Sequence, residues 1–259
     1  MFALPMFQTI SARLHARSTA LLTSLESRLS HIVIGWMLLA ALACAARVAA
    51  SPLPVLDRTA ITPYLLLVLA PAASFVLALR WFADGESLPQ PERRLALVGR
   101  WRSVGPDEAK RHALYGTSGI MVSLLIGMLL NVPVRAAEYL ASIPAIAADA
   151  PQWLSTLHFA MTVDAVLMSS LYVVAFVAAL RRVPLFPRLL LFIWLTDITA
   201  QLLIANAVVA TDVPGDVASA LHALLEGNIK KTMISVGLWL PYLLLSKRVN
   251  VTYRHRVPA

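Results

Sequence analysis

The sequence predicts an all-α bundle of about six membrane-spanning helices with both termini in the cytoplasm. Three observations carry this. The 259 residues are 59% hydrophobic and only 14% charged, with a mean hydropathy of +0.72. A soluble domain carries about 25% charged residues, so this surface cannot be that of a water-borne globule. The apolar residues gather into runs of about 20, the length a helix needs to cross hydrocarbon at 1.5 Å per residue. Finally, 17 of the 22 Lys and Arg residues fall in alternate connections between these runs, which assigns those connections to the cytoplasmic side.

The spans follow in order. The first runs from about His31 to Ala50, the second from Ile61 to Phe82 and the third from Leu114 to Pro133. The fourth covers Leu157 to Leu180 and the fifth Leu189 to Ala210. The sixth ends at Leu245. Because Thr232–Leu245 alone is short, it must either begin within Val217–Ile229 or carry Lys230 and Lys231 partway into the membrane. Arg47, Arg58, Arg135, Lys230 and Lys231 fall on the outer side of this topology. Ala41-Leu42-Ala43 before Cys44 resembles a cleavage site, but about 30 preceding residues make an overlong signal region, so the first helix is expected to stay uncleaved.

The organisation has three parts. Residues 1–30 place Phe7, Ile10, Leu14, Leu21, Leu25 and Leu29 on one stripe, with Arg13, Arg17 and Arg28 off it. This amphipathic segment lies either on the anionic inner leaflet or on the protein's own cytoplasmic surface. Residues 31–112 hold two spans and a basic loop broken by Asp84-Gly85, Pro89, Pro91 and Gly105-Pro106. Residues 113–256 hold four spans. Gly119, Ser123 and Gly127, Ala41, Ala45 and Ala49, and Ala70, Ser74 and Ala78 form small-residue faces of the kind that let helices approach closely. Pro71 and Pro241 permit kinks.

Candidate chemistry lies in the polar content of the spans. There is no phosphate-binding loop, nucleophile elbow or metal-binding His or Cys pattern, so neither a catalytic residue, a metal site nor a cofactor is expected. An ionisable group in hydrocarbon costs about 2.5–3.5 kcal/mol even on the mildest scale, so each asks for a partner. Asp164 lies in the fourth span, Asp197 and Gln201 share a face of the fifth, and Glu226 and Lys230 are spaced i, i+4. With Lys231 these residues form a candidate intramembrane polar cluster. It either binds an ion, proton or polar solute, or pairs structurally to fix helix packing.

The chain's end is more specific. Leu238-Trp239-Leu240-Pro241-Tyr242, then Ser246-Lys247-Arg248-Val249 and Thr252-Tyr253, resembles the close of a bacterial membrane-protein family known as domain of unknown function 2569. Phe186-Pro187-Arg188 is similar to its Phe-Pro element, and Pro133-Val134-Arg135 more loosely to its opening segment. Tyr253 stands where Phe is usual. The resemblance covers about Leu114 to Arg256 and implies a bacterial inner-membrane location, with no catalytic or binding residues to carry over. Physically, Trp239, Tyr242, Lys247 and Arg248 suit anchoring at anionic headgroups.

Two functions are compatible with these residues. One is a non-enzymatic membrane protein that interacts with lipid or serves as a subunit of a membrane complex. The other is a small transporter or channel component using Asp164, Asp197 and Lys230. The partners expected are the anionic headgroups of the cytoplasmic leaflet, with a second copy or a membrane partner left open. Nucleic acid is not expected, because the net charge of +8 is a record of topology.

Overall fold

The computed structural model describes residues 16–50, 58–95, 98–144, 146, 150–211 and 213–259; Phe7, Ile10, Arg13 and Leu14 of the predicted stripe lie outside them. Helix α1 occupies 16–27, followed by α2 (Leu29–Ala49) and α3 (Arg58–Trp81). A loop then carries the short strand β1 (Trp101–Ser103) and the one-turn helix α4 (Pro106–Arg111). Four long helices follow: α5 (Ile120–Ser142), α6 (Gln152–Leu180), α7 (Phe186–Val209) and α8 (Gly215–Leu245). Helix α9 (Lys247–Arg254) and strand β2 (Arg256–Pro258) close the chain.

Five of these helices, α2, α3, α5, α6 and α7, are long and apolar enough to cross a membrane. The sixth expected span, α8, has the length but carries Asp216, Glu226, Lys230 and Lys231. It begins at Gly215, two residues before the earliest predicted start, so both features of the prediction meet in one helix of 31 residues.

Helix α6 is central. It packs against α3, α5 and α7, while α7 meets α8 and α2 lies on α3 and α5. Its sequence is apolar on every side, which suits a helix surrounded by others; Ala175 to Ala179 are all fully buried. Around it the core divides into two apolar clusters. One holds Phe75, Leu125, Met128, Tyr172, Phe176, Leu190 and Trp194. The other holds Tyr64, Tyr139, Met161, Ala165, Ile204 and Leu225. On α5 and α7 the stretch between the two clusters carries Arg135, Asp197 and Gln201, and on α6 the clusters meet one turn past Asp164.

The small-residue faces are not used as predicted. On α2 it is Ala40 and Cys44 that are buried, while Ala41, Ala45 and Ala49 are exposed. On α5, Ser123 and Gly127 are exposed rather than packed against a neighbouring helix, and a Cβ at Gly127 would meet nothing within 4 Å. The α3 face does pack: Ala78 is fully buried.

At one end of the bundle the connections interlock. Ser18 of α1 accepts from the Gly119 N–H at 2.9 Å, and Leu22 and Leu29 pack on the first apolar cluster. Strands β1 and β2 pair antiparallel, bringing Arg102 opposite Val257. Arg94 donates to the Arg254 carbonyl at 3.0 Å. Tyr253, 1% exposed, donates to the Ala179 carbonyl at 2.8 Å and stacks near Phe186. Glu86 gathers three donors, Tyr115 Oη at 3.0 Å, Arg182 at 3.1 Å and Lys110 at 2.7 Å. Gly85 beside it is held so close to the α6–α7 turn that a Cβ would lie 2.8 Å from the Arg181 carbonyl.

The Lys110 ammonium, with Tyr115 and Arg182, holds the Glu86 carboxyl below its ordinary value of 4.5. A carboxyl lowered on folding contributes stability above its unfolded value and loses it as pH falls through the folded value. Glu86→Gln therefore removes stability at neutral pH and flattens the acid limb of a thermal-unfolding profile of the detergent-solubilised protein. Parallel pH profiles for wild type and variant would contradict this.

Candidate functional site

The polar layer is built from four helices. Helix α5 runs through Pro133, as membrane helices can when neighbours re-satisfy the freed carbonyl. This extension carries Arg135 into the bundle, with its side chain 13% exposed. The sequence prediction ended this span at Pro133 and placed Arg135 in an outer loop; the helix instead continues to Ser142. Val132, Ala136 and Tyr139 keep an i, i+4, i+7 buried face across the proline. That periodicity is the signal in the sequence from which the continuation could have been read.

Arg135 bridges two acids. Its Nη1 donates to Asp164 Oδ2 at 2.7 Å, and its Nη2 donates to Asp197 Oδ1 at 2.7 Å and Oδ2 at 2.9 Å. Both carboxylates are buried, at 5% and 1% exposure. Asp197 accepts further from Thr232 Oγ1 at 3.0 Å and Tyr172 Oη at 3.4 Å. Asp164 Oδ1 accepts from Gln201 Nε2 at 3.1 Å, and Gln201 Oε1 accepts from Asn228 Nδ2 at 3.1 Å. The network thus joins α5, α6, α7 and α8.

The charges do not balance. Two carboxylates face one guanidinium, which leaves one formal negative charge in a water-poor interior. Breaking such a buried set by removing one partner costs about 3–5 kcal/mol, whereas replacing all its members with neutral groups is often tolerated.

Beside the network lies a cavity of about 140 Å³, lined by residues of all four helices, among them Asn131, Arg135, Tyr172, Trp194, Asn228, Thr232 and Ser235. This is room for several water molecules. Two of its lining residues, Trp194 and Asn131, carry a buried polar atom, Nε1 and Oδ1, with no protein partner among the described residues, and Trp194 is only 2% exposed. At the cavity's more exposed side, Lys231 Nζ pairs with Glu138 Oε1. A second cavity of about 20 Å³, the size of one water, touches Arg135, Glu138, Tyr139, Asp164 and Asn228.

The structure therefore brings Asp164, Asp197 and Gln201 together and sets Lys231 at the rim. It does not bring Glu226 and Lys230: they pair with each other at 2.7 Å on an exposed face, where such pairs contribute little. Arg135 supplies the cation expected of Lys230. The C-terminal residues divide similarly. Trp239 is half-buried, walls the cavity and stands edge-on to Tyr242. Arg248 donates to Ser118 Oγ at 2.9 Å and to the Leu114 and Gly116 carbonyls, so its guanidinium is occupied inside the protein. Lys247 is exposed. Among the described residues, no three His, Cys, Asp or Glu side chains gather to hold a metal ion.

The partners of these groups set graded expectations. Thr232→Val deletes a buried hydrogen bond to a carboxylate and should cost about 1.5–3 kcal/mol. Lys230→Ala breaks only the exposed pair with Glu226 and should cost far less. Chemical unfolding of both variants in mixed micelles checks the order; the reverse ranking would contradict the network.

The comparisons with known proteins agree with the closing motif. No curated protein and no solved structure matches the chain. A family model described as "Protein of unknown function (DUF2569)" matches residues 115–254, more than half of the chain and all of the polar layer. The chain belongs to the DUF2569 family of proteins of unknown function.

Proposed function

We propose that the chain is a multi-pass protein of the bacterial inner membrane, with six spans and both termini cytoplasmic. Its family domain acts as a small transporter or channel component, binding a polar solute or ion without chemical conversion. The topology draws support from the interlocked end of the bundle. The four Lys- and Arg-rich segments lie there together: α1, the loop between α3 and α5, the α6–α7 turn and the C-terminal tail. In this topology the helices alternate, and that end faces the cytoplasm.

One observation carries the functional reading: a charged network at the middle of four spans adjoins a cavity lined by Asn131, Arg135, Asn228, Thr232 and Ser235. Polar groups in membrane spans that face a cavity mark solute or ion paths. Arg135 is therefore read as both the structural centre and one wall of the binding chamber.

The reading of a lipid-interacting protein or complex subunit keeps one specific support. Ile34, Leu38, Leu39 and Leu42 of α2 form a broad exposed apolar face, which lipid or a membrane partner would cover. In that case the polar layer serves packing alone, and the chamber is dry or sealed.

Cysteine accessibility separates the two. Cys44, the only cysteine, is buried and can be replaced by Ala to give a clean background. In membrane vesicles, Ser235→Cys in the chamber should react with a small, water-soluble cationic thiosulfonate, whereas Leu238→Cys on the exposed apolar face should not. A chamber cysteine that stays unmodified would overturn the transporter reading.

A further inference from the structure

We propose that Asp164 is a proton-binding site whose protonation reverses the hydrogen-bond polarity of the chamber through the Gln201 and Asn228 amides. This rests on the reading of the chamber as a solute site and specifies what that site responds to.

The two carboxylates differ in their partners. Asp197 accepts from Arg135 with both oxygens and also from Thr232 and Tyr172, so its donors are those of a settled anion. Asp164 has one Arg135 nitrogen and one amide. It also borders the water-sized cavity directly, whereas Asp197 meets the larger one only through Arg135, Tyr172 and Thr232. One proton on Asp164 cancels the single surplus negative charge of the network.

The groups facing Asp164 allow this response. From α5 come Arg135, Glu138 and Tyr139; from α7, Asp197. Helix α8 presents Asn228 and Leu224 there, with Lys231 engaged by Glu138. On α6 itself Tyr172 already donates to Asp197, and α3 presents Tyr64 in the apolar cluster around Ala165. Among these groups, Asp164 combines a bordering water-sized cavity with a reversible amide partner.

The partner is reversible because an amide's oxygen and nitrogen occupy nearly equivalent places. With Asp164 ionised, Gln201 Nε2 donates to it and Gln201 Oε1 accepts from Asn228 Nδ2. When Oδ1 of Asp164 gains a proton, the new O–H must donate, so Gln201 turns its oxygen toward it. Gln201 Nε2 then faces Asn228, which must turn its own oxygen to accept. Asn228 borders both cavities, so its free amide atom changes from acceptor to donor. The deprotonated chamber, with surplus negative charge and an acceptor, favours a cation or N–H-bearing solute. The protonated one favours an acceptor.

Infrared difference spectroscopy of the full-length protein in lipid nanodiscs, taken on acidification, tests this. Subtracting a variant's difference spectrum from that of wild type removes the bands of the other acidic side chains; with Asp164→Asn the remainder should hold a single protonated-carboxyl band together with shifts in side-chain amide bands. Gln201→Leu, should Asp164→Asn fail to fold, must move the carboxyl band in frequency and abolish the amide response. A remainder without a carboxyl band, or a band that Gln201→Leu leaves unmoved, would overturn the proposal. The cysteine experiment fails independently: an unreactive Ser235→Cys with a normal Asp164 band removes the solute site and leaves the proton site.

Discussion

A guanidinium between two carboxylates, in the middle of a helix bundle otherwise held by apolar contacts, is the constraint on which the structure turns. Among the described residues, Arg135 forms ion pairs with these two acids alone, and neither acid pairs with another cation. Helices that pack only through apolar side chains in lipid have little to fix their rotation, because lipid tails are as apolar as the neighbouring helix. The Arg135 fork removes that freedom for α5, α6 and α7 at once, and Thr232 and Asn228 extend the register to α8. Placement of the two apolar clusters on either side of the polar layer follows from this alignment.

The layer does more than orient helices. Buried ion pairs are rarely the most stabilising solution, and neutral replacements often hold a fold as well. What charges and amides add is a polar lining to the adjoining cavity. Trp194 and Asn131 line that cavity, and each also keeps a buried polar atom that meets no protein group among the described residues. The interlocked end serves the same chamber indirectly. It clamps the α6–α7 turn against Glu86 and Tyr253, fixing the two helices that carry the acids.

Much of this was legible in the residues. Hydropathy located the long helices, and Asp164, Asp197 and Gln201 stood out because ionisable groups in spans are costly. The closing run from Trp239 to Tyr253 pointed to the family that the model match gives. The missing cation was not legible by the same logic. Pro133 reads as a helix end, so Arg135 fell into a loop and Lys230 was left as the apparent partner. Lys230 instead had Glu226 one turn away on its own helix. Rotation was the other hidden variable. The small-residue repeats on α2 and α5 specify a face but not its neighbour, and Gly127 turned out to line the chamber. Arg248 likewise reads as a headgroup ligand until the fold brings Leu114 to Ser118 beside it.

The central claim, that Arg135 holds the layer by meeting two buried acids, is tested most directly by comparing the unfolding free energy of Arg135→Met with that of the triple variant Arg135→Met, Asp164→Asn, Asp197→Asn. The single change leaves two buried carboxylates facing each other and should cost about 3–5 kcal/mol; the triple change removes every charge and should recover most of it. A single variant as stable as wild type, or a triple variant no better than the single one, would contradict the account.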